Sequence, residues 1–402
     1  MTITTAGAAR IGALLAAAAM SAHLPSALAA DAPAAVLPAG CTLADPEAAA
    51  SASLASGEPP FPPVQLELRT PVEPTVLPSG GRNFLYYEVH LQNFSDQPLA
   101  LRGIEIRDAA GAPVATIDTE ALKQILRPAG SEQLDGQQLG AGQAAVVFMC
   151  VAFAGDQAVP ASIEHRVMLE QGHAAGPALR VGRAPLPSLG LPVSGEGWLA
   201  ANAPSINSHH RVGLFVAGGL AQISRRFAID WKIVKDGAEF SGDPLDASRY
   251  YAYGREVLAV ADGTIVLAQD GLPDNVPRTA AGFQTAVPMT MENLAGNSVI
   301  LDIGGGRYAY YAHLKPGSLR VKAGERVQRG AVLGQVGISG DARWPHLHFQ
   351  VSDAPEILAS EGLPFVFEQY RVRTADGSWA DREAEYPLGD LTIAARRSES
   401  AE

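Results

Sequence analysis

Short runs in which apolar and polar residues alternate dominate the stretch from residue 62 to about 183. NFLYYEVHLQNF (83–94), LALRGIEIRD (99–108), AAVVFMCVAF (144–153) and IEHRVMLEQ (163–171) each have strand length. Turn chemistry such as SDQP and DAAGAP separates them. Regular short strands parted by Asn, Asp, Gly and Pro predict an immunoglobulin-like β-sandwich over 62–183. One helical pattern, TIDTEALKQIL (116–126), interrupts it, with Thr or Asp placed to cap its N-terminus. A Gly- and Pro-rich boundary follows, read as a linker over 184–197. The second domain, 198–360, is again nearly all strand and turn, as in YGREVLAVADGTIVLAQ and RVKAGERVQRGAVLGQVG. Residues 361–402 read as one further strand, PFVFEQYRVR, packing back on that domain, and a polar mobile end, RRSESAE. The fold class is all-β.

Composition supports a folded chain: 47 % of residues are hydrophobic and only 18 % charged, and 41 Gly and 29 Pro supply the turns. A length of 402 residues exceeds one ordinary core and suits two domains. A net charge of -12 argues against a broad nucleic-acid-binding surface. The first 29 residues differ in kind. Arg10 precedes the apolar run IGALLAAAAMSA, and SALAA offers small residues at Ala27 and Ala29. That is a secretory signal peptide, too short to span a bilayer, so the protein is expected to be exported, periplasmic or secreted. No later stretch is long and apolar enough to cross a membrane.

Residues 30–61, rich in Ala and Pro, read as a linker. Cys41 and Cys150 are the only cysteines. In an oxidising compartment a disulfide between them is reasonable; the alternative is that Cys150 is a small core residue. LPAGC before Cys41 fails as a lipoprotein box, because Pro38 stands where Leu is expected and the site lies past the apolar run.

RWPHLHFQV (343–351) is the stretch that points to chemistry. Residues i and i+2 of a strand share a face, so His346 and His348 point together at one metal ion or one substrate atom. Gln350 is expected to point away from them. His90 and His165 lie among strand residues with no ligand-type neighbour at metal spacing and read as structural. DGLPDNVPRTAAGFQTAVPMTMEN (270–293) reads as a long loop over the cleft, a lid, a specificity element or a neutral insertion.

The order of elements across 227–353 resembles the lysostaphin/LytM-type zinc metallopeptidases. A strand is followed by Tyr-x-His-Leu in YYAHLK, by Val-x-x-Gly-x-x-Val-x-x-Gly, and by His-x-His. The resemblance implies a cleft over an antiparallel sheet, one Zn2+, and hydrolysis of peptide crosslinks of peptidoglycan or a related envelope peptide. It assigns His348 and Asp230 (in RFAIDW) as metal ligands and His313 and His346 as catalytic histidines. A catalytic zinc needs three protein ligands and an open position for water, and neutral imidazoles nearby exchange protons with the reacting groups.

One part of the pattern is absent. The family's first ligand histidine stands four residues before the Asp, where this chain has Arg226, and the motif glycine is replaced by Ala228. Arg has no lone pair to donate and stays protonated. Two explanations stand open. His209 or His210, in INSHHRVGLF, takes the ligand role; or Arg226 pairs with Asp230 and the domain is an inactive binding or regulatory module. The sequence is silent on oligomeric state and on what the sandwich binds.

Overall fold

The strand Arg82–Asn93 is apolar on both faces, and this organises the molecule. Leu85, Tyr87, Val89 and Leu91 enter one buried core, while Phe84 and Tyr86 on the opposite face enter another. Period-two alternation is therefore blurred, as expected of a strand covered on both sides. The computed structural model describes residues 37–52, 63–129, 134, 137–170, 172–278 and 282–395; the leader expected over 1–29 and the end RRSESAE lie outside them.

Two six-stranded sheets form the N-terminal layers. The first runs in the order Thr42–Leu43, Ala144–Ala154, Arg82–Asn93, Leu66–Arg69, with two short strands at its margins. The second has Ser162–Leu169 and Leu99–Asp108 at its centre. Val147 and Met149 of the first sheet share a core with Ile104, Ile106 and Val167 of the second. The helix Thr119–Ile125 forms where the pattern places it, and the Asp118 carboxylate accepts from the Ala121 N–H at 2.8 Å.

An eleven-stranded sheet carries the second core. In its middle lie, in order, Leu391–Ala394, Glu196–Ala201, Ile229–Ile233, Leu347–Ser352, Arg307–Leu314 and Asn297–Gly304. Neighbours along this path are antiparallel.

Three segments carry more structure than the sequence pattern predicts. Residues 37–52 of the Ala/Pro-rich stretch contain a strand, Thr42–Leu43, paired parallel with Ala144–Ala154, and a helix, Pro46–Ser51. Cys41 and Cys150 form a disulfide. In the stretch read as a linker, Ser188–Leu189 pairs with Val366–Arg373. Beyond residue 361 there are three strands, Val366–Arg373, Trp379–Glu385 and Leu391–Ala394, all in the large sheet. Each segment gains ladder hydrogen bonds for backbone groups that would otherwise need water, which composition alone does not reveal.

The sandwich and the large sheet meet through a buried ionic cluster. Glu88, 3 % exposed, receives Arg211 and Arg226 together, the latter at 2.8 Å. Arg211 also donates to the carbonyls of Tyr87 (2.9 Å) and Met149 (3.1 Å). Arg226 also reaches Glu361 at 2.8 Å and the Gly362 carbonyl at 3.1 Å. Four charges of two signs thus satisfy one another out of water, as buried charges must.

Candidate metal centre

Ladder register builds the centre. Asp230 on Ile229–Ile233 lies directly across from His348 on Leu347–Ser352, and His348 lies across from Ala312. His346 stands just before the His348 strand. Regular alternation would turn His313 to the opposite face from Ala312. Instead it adopts φ 64°, a left-handed backbone uncommon outside glycine, and its ring centre lies 5.0 Å from that of His346. Asn202, at the end of Glu196–Ala201, is likewise left-handed at φ 56° and donates to Asp230 Oδ2 at 2.8 Å.

Three imidazoles converge on the other Asp230 oxygen. Oδ1 lies 3.1 Å from His348 Nδ1, 3.4 Å from His346 Nε2 and 3.5 Å from His210 Nε2. The far nitrogens are committed elsewhere. His210 Nδ1 donates to the Asn202 carbonyl (3.1 Å), His313 Nδ1 to the Ser339 carbonyl (2.9 Å) and His346 Nδ1 to the Trp344 carbonyl (2.7 Å). His348 is reversed: its Nε2 lies 2.9 Å from Gln350 Oε1, an acceptor. With His210 Nδ1 donating to Asn202, the lone pair of His210 Nε2 faces the Asp230 carboxylate, and His348 Nδ1 lies within hydrogen-bond distance of the same oxygen. Ligand-type atoms gathered this closely are a set that could hold a cation. The donor set of two imidazoles and one carboxylate, each braced by an outer hydrogen bond, fits zinc.

Protonation follows from burial and from Asp230. Burial, chiefly, holds His210 and His313 well below the ordinary histidine value. His346 is also penalised by burial, but the Asp230 carboxylate outweighs it and raises its pKa. Burial alone would raise Asp230; the attraction of the surrounding imidazoles and the hydrogen bonds from His346 and His348 hold it well below the usual carboxylate range.

The centre thus brings together the residues expected from the sequence: Asp230, His313, His346, His348 and, from the upstream loop, His210. His209 is stacked beside His210, ring centres 4.2 Å apart, and its ligating nitrogen also falls near His210 and Asp230. Arg226 does not pair with Asp230, as one explanation required. Residues 224–227 form a turn ahead of the strand, and the guanidinium is drawn to Glu88 and Glu361 instead. Gln350 does not point away: two residues beyond His348, it shares that face and bonds to the ring. Asn202 was missed, and no local motif marks it.

These groups line a cleft of about 160 Å³. Leu294, Trp344, Ile357 and Leu358 give it apolar walls, and Arg225 and Arg343 bring positive charge. Among the described residues, the loop 270–293 does not line it. The loop packs instead on the segment before His346, where Asn275 donates to the carbonyls of Gly340 (2.7 Å) and Ala342 (2.9 Å).

Residues 249–358 match the family model "Peptidase family M23", so this part of the chain is of the lysostaphin/LytM type. The match contains His313, His346 and His348 but begins after Asp230, so the front of the site, with Arg226, lies outside it. No curated protein matches the chain. Among solved structures it is similar to the catalytic domain of the prophage-encoded M23 protein EnpA from Enterococcus faecalis, at 17 % identity, covering 45 % of this chain and 95 % of that one, TM-score 0.25. For the catalytic domain of lysostaphin from Staphylococcus simulans the figures are 20 %, 37 %, 80 % and 0.22. For a putative peptidase M23 from Pseudomonas aeruginosa they are 18 %, 66 %, 92 % and 0.24. Likenesses this slight carry no argument about function.

Proposed function

We propose that the chain is an exported zinc metalloendopeptidase acting on peptide crosslinks of peptidoglycan or a related envelope peptide. In this reading His210 stands in for the ligand lost at Arg226. The observation that carries it is the convergence of His210 Nε2 and His348 Nδ1 on Asp230 Oδ1, at 3.5 and 3.1 Å. His210, Asp230 and His348 would hold the ion, and zinc, when bound, supplies Lewis acidity for amide hydrolysis. His209 is exposed and, among the described residues, has no hydrogen bond that fixes its tautomer as Asn202 fixes that of His210, so it ranks second as a ligand.

The two remaining histidines divide the proton work. His313, kept neutral by burial with its Nδ1 proton tied to Ser339, presents Nε2 as an acceptor. His346, favoured in its protonated form by Asp230, holds its Nε2 proton toward that carboxylate at 3.4 Å and would donate it to charge developing on the attacked carbonyl by turning away from Asp230. The leader and the Cys41–Cys150 bridge support export.

Zinc per chain is measured on untagged protein, then on His210→Ala and His209→Ala, alongside release of fragments from purified cell wall. The reading expects about one zinc per chain, lost in His210→Ala and retained in His209→Ala, with fragment release requiring the metal. Absence of zinc after incubation with the ion would overturn it in favour of an inactive binding module.

A further inference from the structure

The cleft holds a cation that no hydrogen bond or ion pair among the described residues engages, although Asp230 and Asp341 attract it from a distance. Arg225 lines it, and among the described residues none of its donors meets an acceptor; its Nε is buried without any hydrogen-bond partner. The other cations there are occupied. Lys232 is bound to Glu239 at 2.6 Å, and Arg343 lies 3.8 Å from Asp341 and 5.4 Å over the Phe283 ring. A guanidinium has five donors in a planar fork shaped for a carboxylate, and leaving it unmatched in a partly buried wall is expensive. Its place is also built. A Cβ at Gly213 would come within 2.8 Å of Arg225 Nη2, so a glycine there leaves room for the head group.

We infer that Arg225 is a specificity-determining residue that receives a free carboxylate of the substrate close to the scissile amide. The preferred substrate is then an acidic peptide and not a neutral glycine-rich one. This rests on the reading of the cleft as a peptide site. The two acidic neighbours, Asp230 and Asp341, do not cancel the attraction. Asp230 is enclosed by imidazoles, and Asp341, although it also attracts Arg225, is exposed and lies 3.8 Å from Arg343, which shares its charge.

The test uses an acetylated, amidated pentaglycine into which one Glu is walked position by position, each peptide paired with its Gln counterpart. Binding is measured calorimetrically on metal-free full-length protein, and cleavage on the zinc-loaded protein. In at least one position Glu should bind about tenfold or more tightly than Gln. Arg225→Gln should bring the two within twofold while retaining its zinc, and Arg225→Lys should keep part of the preference. No position with a Glu preference, or a preference that survives in Arg225→Gln, overturns the inference. Cleavage without any Glu–Gln difference would sink the inference alone and leave the peptidase reading standing. A Glu preference lost in Arg225→Gln but with no cleavage would do the reverse.

Discussion

Replacing Glu88 by Gln tests whether the sandwich and the sheet that carries the candidate metal centre are held together by charge. The substitution keeps shape and removes one negative charge from a cluster that is otherwise balanced, Arg211 and Arg226 against Glu88 and Glu361. Glu88 and both arginine side chains are at most 3 % exposed, so water cannot make up the loss. Breaking a buried pair by removing one partner costs roughly 3–5 kcal/mol, and two guanidiniums share this carboxylate, so about 4 kcal/mol is expected. Trp198 and Trp231, 1 % and 0 % exposed in the second core, report unfolding by fluorescence. At a slope of about 3 kcal/mol per molar urea, the midpoint should fall by more than about 1 M. A shift under about 0.3 M would refute the reasoning, because it would mean that the arginines find other partners. Replacing Glu88, Arg211 and Arg226 together by Leu, Met and Met should recover most of the stability, as apolar substitutes for buried ion clusters do. Zinc affinity should not recover, because Arg211 adjoins His210 and its bonds to Tyr87 and Met149 fix that segment.

Three further outcomes are expected. Gln350→Ala removes the acceptor that sets the His348 tautomer and should weaken zinc binding about 10–100-fold, read by competition with a chelating dye; Gln350→Glu should retain it, and unchanged affinity in Gln350→Ala would refute the role. His165 is enclosed beside the Tyr87 hydroxyl at 2.8 Å, and burial pushes its pKa down from 6.5 to about 4. The unfolded chain therefore binds this proton first. Stability is full above about pH 6.5 and falls by about 3 kcal/mol as pH drops toward 4, and His165→Gln should flatten that part of the urea-midpoint profile. The Cys41–Cys150 bridge closes a separation of 109 residues, so replacing both cysteines with Ala should cost on the order of 4 kcal/mol in the same assay; an unshifted midpoint would show that the segment is held by its strand pairing alone.

What could be read from the chain, and what could not, divides by distance along it. Alternation places His346 and His348 on one face, and both do reach Asp230. The same rule, carried two residues further, places Gln350 there as well, contrary to the expectation that it points away. The helix Thr119–Ile125 is legible because its cap and its apolar spacing are local. Residue 226 is the opposite case. Its departure from the family pattern is plain in the sequence, yet its meaning depends on Glu88, 138 residues away, which draws the arginine off the metal position. Had Arg226 faced Asp230, a fixed cation would have stood where the proposed metal ion would bind. Because it is anchored on the sandwich, the place beside Asp230 is left to His210, whose neighbour Arg211 is held by the same carboxylate. The arginine that replaces the family's ligand and the loop that offers another thus meet at one buried residue. Loss of Glu88 should for that reason disturb the metal centre as well as the fold.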